Sequence, residues 1–169
     1  MIIKNKKNNI IRLIFLVLVM TVVILCIEFY HLNTGIMRNL SSNLNEIKHG
    51  IQQIKMLTED NDYNKMAGQM QVKVYASETF VAIRNVNYVA EKSFLYKGYS
   101  MPKAEGLFLR LMTSPDILEK QEIRDLLIKS AETLEFDLSG ENGSRYNLLT
   151  DRADIKSMIK EFEENLQKA

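Results

Sequence analysis

One cysteine, two histidines and two prolines occur in the chain, and each scarcity removes a class of protein. Cys26 lies inside an apolar run, so the remainder has no thiol with which to build a disulfide. Small domains secreted by eukaryotic cells are usually stapled by disulfides. The cysteine usage, with the richness in Lys, Asn and Ile, therefore points to a bacterial protein. Two Asn-x-Ser sequons, at Asn39 and Asn142, mean nothing in that setting.

The histidines are His31 and His49, and none follows. Without a distal imidazole the many serines have no base for a Ser-His-Asp site. Glu46 and His49 form one Glu-x-x-His pair, whereas a di-iron bundle needs two such pairs and further carboxylates. A solvated helix face accounts for this one. Asp60-x-Asp62-x-Asn64 begins like a calcium loop, but Lys65 stands where glycine is needed and Gln71 where a bidentate glutamate is needed. The stretch SGENGS at 139–144 lacks both the Lys-Ser/Thr and the preceding strand of a phosphate loop. Glu163 and Glu164 fall on the polar side of the last helix, where solvation explains them better than glycosidase chemistry. The seven tyrosines fall mostly on helix stripes, where packing is the default. No catalytic residue, metal site or cofactor is expected, and the chain does not read as an enzyme.

Charge of one sign is also missing in one place. Lys4, Lys6, Lys7 and Arg12 precede the apolar run and no acidic residue does. Four of the 22 basic residues and none of the 21 acidic ones lie there, which leaves 18 basic against 21 acidic residues, a net of −3, from 28 to 169. No basic patch is concentrated in that stretch, so nucleic acid is not expected as a partner. The basic N-terminus suits membrane topology and anionic lipid.

What the chain does have is the run IIRLIFLVLVMTVVILCI at 10–27. Crossing a bilayer core takes about 20 mostly apolar residues. Residues 13–27 carry no charge, and their one polar side chain, Thr21, can bond a carbonyl one turn back. Arg12 can snorkel, and Tyr30 and His31 stand where an interfacial belt belongs. Positive residues stay on the cytoplasmic side, so the N-terminus is expected inside and the rest outside. The residues after the run are large, and Leu25 before Cys26 does not fit a lipoprotein cleavage site, so an uncleaved signal-anchor is expected. The expected organisation is a short cytoplasmic tail at 1–9, a transmembrane anchor at 10–30 and an extracytoplasmic domain at 31–169.

The outer domain reads as all-α, an antiparallel bundle of four to five helices. From 33 to 58 the apolar residues Met37, Leu40, Leu44, Ile47, Ile51 and Ile54 are spaced 3, 4, 3, 4, 3, and almost everything between them is polar. This is an a/d seam over nearly three heptads. It is a candidate interaction seam, able to pack on its own domain or to pair two chains. The anchor helix is expected to run on into it. Gly35 and Gly50 weaken that helix by about 1 kcal/mol each.

A turn over 58–62 leads into a second helix over about 62–97. It has one stripe of Tyr63, Met66, Met70, Val74, Val81, Tyr88 and Leu95, and another of Phe80, Ile83, Val86, Ala90 and Phe94. Two apolar stripes predict neighbours on two sides, making this the central helix. VKVYA at 72–76 alternates like a strand but is too short to displace the helical pattern. Gly98 is placed to end the helix. Residues 103–113 predict a short buried helix. Ser114-Pro115-Asp116 predicts the start of another, reaching Leu138. Residues 139–147 read as a loop. Thr150-Asp151 caps a last helix that buries Ile155, Ile159, Phe162 and Leu166.

SSNLNEIKHGIQQIKML at 41–57 resembles the first helix of the four-helix sensor domains of chemoreceptors. The resemblance spans that one helix, and it implies a sensor of a small ligand that signals through a partner. The residues themselves favour a non-catalytic scaffold or adaptor for another envelope or membrane protein, with a protein partner or a second copy at the juxtamembrane seam.

Overall fold

The structure is a computed structural model that describes residues 2–59, 66–134 and 150–166, with side chains apart from those of 2–11, 94, 131 and 150–154. Among the described residues there are five α-helices and no strand. They are α1 (Ile2–Glu59), α2 (Met66–Lys92), α3 (Pro102–Thr113), α4 (Gln121–Glu132) and α5 (Thr150–Leu166), with 3₁₀ turns at Phe94–Tyr96 and Pro115–Glu119. The chain divides into two compact units, Met1–Met37 and Arg38–Ala169.

The first unit is helical from Ile2, and its side chains from Arg12 to Leu32 are all exposed. This part of α1 is long and apolar enough to cross a membrane. The Thr21 hydroxyl donates to the Val17 carbonyl at 2.9 Å, which removes the one polar demand between 13 and 27.

The second unit takes its core from all five helices. α2 packs on α3, α3 on α5, and α4 on α5. On the last part of α1, Leu40, Leu44, Ile47, Ile51 and Ile54 are buried, each worth about 1.5–3 kcal/mol of transfer free energy. That face meets α2: Asn85 donates to Asn43 at 3.1 Å, and Gly50 lies against Thr79. The pairings run in opposite senses along the two helices. The α2 face opposite is built from small residues, with Gly68, Ala76, Thr79, Ala82 and Ala90 buried among Val72, Ile83 and Val86.

Three boundaries differ from expectation. α2 ends at Lys92, short of Gly98, because the chain tightens there: the Tyr96 amide bonds the Ser93 carbonyl and the Tyr99 amide bonds that of Tyr96. Gly98 follows with φ +101°, a left-handed conformation that glycine adopts freely, so it turns the chain after the helix instead of capping it. The helix expected from Ser114 begins as the 3₁₀ turn and breaks at extended Lys120, and Ser114 makes no side-chain cap bond. The α-helical part is Gln121–Glu132. VKVYA lies wholly inside α2. The acidic turn at 60–64, Tyr63, Leu138 and the loop at 139–147 lie outside the described residues.

Candidate interaction surface

All six residues of the expected seam are buried within the single chain: Met37, Leu40, Leu44, Ile47, Ile51 and Ile54. No exposed apolar stripe runs along that face. The close approach to α2 needs glycine, since a Cβ on Gly50 would collide with the Thr79 hydroxyl and meet its Cβ at 3.2 Å. Gly50, read from sequence as a weak point in a helix, is a contact point between two helices.

The exposed apolar face is on α2. Met66 is 89 % exposed, Met70 70 %, Val74 51 %, Val81 55 % and Tyr88 62 %. At 100° per residue these five fall within about 80° of the helix circumference. This is the first of the two stripes read from the sequence, and the expectation that neighbours cover both is corrected. α1 and α3 take the face carrying Val72, Ala76, Ile83 and Val86, and no described residue covers the other. Two stripes predict two neighbours only when both are supplied by the same chain. Isolated exposed apolar residues are ordinary, whereas an aligned row of large ones marks a contact site.

Two polar nodes hold this face in place from behind. Asn87 is buried, accepts the Met101 amide on Oδ1 at 2.6 Å and donates through Nδ2 to Glu105 at 2.5 Å. Glu105 also pairs with Arg84 at 3.1 Å, so α3 is tied to α2 along one side. At the start of α3, the Glu163 carboxylate accepts the amides of Lys103 at 3.0 Å and Ala104 at 2.9 Å. Pro102 opens that helix without an amide of its own, so a side chain from α5 satisfies the two free donors that follow. Burial pushes the Glu163 carboxyl above the usual carboxylate range, outweighing the two amides and the Lys103 charge, which pull it down. The sequence reading of Glu163 as a solvated residue is thereby corrected. Its i−4 and i−1 neighbours Ile159 and Phe162 are core residues, and this was the available signal.

A cleft of about 460 Å³ lies beyond the end of α2, lined by Ala90, Glu91, Ser93, Lys97, Gly98 and Ser100. Glu46, His31 and His49 are exposed, and no group of three or more His, Cys, Asp or Glu side chains placed to hold a metal occurs among the described residues. Comparison with protein-family models, with curated proteins and with solved structures returns no match.

Proposed function

We propose that the chain is a non-catalytic, single-pass membrane protein that works as a scaffold or adaptor through protein–protein contact. Residues 10–30 anchor it with the N-terminus in the cytoplasm. The residues beyond form an extracytoplasmic, antiparallel helical bundle. The exposed row Met66, Met70, Val74, Val81 and Tyr88 is the observation that carries this reading. Covering such a row from water is favourable by about 25 cal/mol per Å² of apolar surface, and none of the described residues supplies the cover. The basic residues before the run and the wholly exposed apolar helix support the anchor and its direction.

A second reading, a ligand sensor that signals through a partner, has the cleft beside Gly98 in its favour. Its lining is largely apolar, with Glu91, Ser93, Lys97 and Ser100 supplying polar groups that could orient a small ligand. The adaptor ranks first because five large apolar residues line up exposed on one face of α2.

The test is site-specific photocrosslinking in cells. A benzophenone amino acid at Tyr88 is expected to give a protein adduct in the membrane fraction, and one at exposed Gln121 none. The protein is expected to resist alkaline carbonate extraction. Free Tyr88 together with a protein that washes off the membrane would end this reading.

A further inference from the structure

Resting on the contact-surface reading above, we propose that the occupant of the exposed α2 face is a second copy of this chain, aligned parallel and in register. The register comes from the residues. Val74, Val81 and Tyr88 are seven apart, which places all three at position a of a heptad, with Met70 at d. β-Branched residues at a favour two parallel strands over higher oligomers, and Val74 and Val81 are both exposed.

The flanks add charge complementarity. In the same register Lys73 falls at g and Glu78 at the following e. In a parallel pair, g of one helix faces the e five residues on in the other. Lys73 of each copy therefore meets Glu78 of its mate, twice by symmetry. Both side chains are exposed, and neither has an ion-pair partner among the described residues. An antiparallel pair packs a against d, so it would set Val74 against Arg84 and Met70 against Tyr88 and forfeit the Lys73–Glu78 match.

The other d positions, Ser77, Arg84 and exposed Glu91, make the contact narrow and end it before Tyr88's heptad closes. Ser77 is small, and Arg84 is engaged by Glu105 on α3. The contact is thus centred on Met70, Val74 and Val81. Two chains anchored in one bilayer share a plane and a sense of insertion. That raises their effective concentration, so a short seam suffices.

The experiment uses the full chain in its membrane. Cys26, the sole native cysteine, is first replaced (Cys26→Ser), and Val74→Cys or Tyr88→Cys is added alone. Each is expected to give a disulfide-linked band at twice the chain's mass on mild oxidation. Lys129→Cys, exposed on α4, is expected to give none. Lys73→Glu and Glu78→Lys are each expected to weaken self-association about tenfold, and the combined exchange to restore it. All these positions are exposed, and circular dichroism checks that the variants keep their helix content.

Self-linked bands with charge-swap rescue support the proposal. Bands that appear only when Met70→Cys and Tyr88→Cys chains are mixed overturn it in favour of an antiparallel pair. Adducts to a protein of different mass overturn self-pairing and leave the contact-surface reading standing. Labelling of the same face by a photoactivatable lipid, with no protein adduct, overturns both.

Discussion

At the scale of single residues, two positions carry meanings that their neighbours in sequence disguise. Glu163 stands beside Glu164 in a polar stretch, yet it is 9 % exposed and ends the dangling amides of another helix. Glu163→Ala is expected to cost about 2–3 kcal/mol, because two amides lose their acceptor. Denaturant unfolding of the full chain in detergent measures it. The pH dependence has a definite sign. The carboxyl is held above its ordinary 4.5 in the folded state, so folding takes up protons as pH rises past that value. Its contribution is fullest below about pH 4.5 and is lost as pH rises through the folded-state value. Glu163→Gln, which keeps one acceptor, is expected to cost less and to flatten that decline. Gly50 is the second position. Alanine there adds about 1 kcal/mol of helix propensity but overpacks the Thr79 hydroxyl, so Gly50→Ala is expected to destabilise by a net of about 1–2 kcal/mol. Adding Thr79→Ala removes the hydroxyl and is expected to recover most of the loss, a coupling that a double-mutant cycle reads directly.

At the scale of elements, α2 shows what periodicity can and cannot say. Its two apolar stripes were legible at 3.6-residue spacing, and so was its helical character through VKVYA. Which stripe the chain itself would cover was not, because Val74 and Val86 are equally apolar and only tertiary packing separates them. The size of the residues held a clue. The covered face is rich in Gly, Ala and Thr, which let α1 approach, while the open face carries Met, Val and Tyr. Ile83→Ala is expected to cost about 2–4 kcal/mol of unfolding free energy. Val81→Ser, two residues away on the open face, is expected to change it by less than about 0.5 kcal/mol. Denaturation at protein concentrations too low for association makes the comparison. Helix ends were read less well than helix bodies. The 3₁₀ turns at Phe94–Tyr96 and Pro115–Glu119 use helix-like residues and differ from a helix only in their bonding.

At the scale of the whole molecule, the apolar run and the all-helical character were plain in the sequence, since both rest on local composition and period. The exposed α2 face and the Glu163 node were not, since both depend on distant segments meeting. That distance has a consequence for how the protein is made. Glu163 follows Ala104 by 59 residues and Lys103 by 60. At about 5–20 residues per second, a ribosome that has delivered the start of α3 needs roughly 3–12 s more before it delivers the carboxylate that completes it. Throughout that interval α3 leans on α2, through Asn87 and Arg84, and on the 3₁₀ turn Pro115–Glu119 that follows it. The nascent chain thus emerges with one helix start unfinished, and translation speed across 105–163 governs how long it stays so.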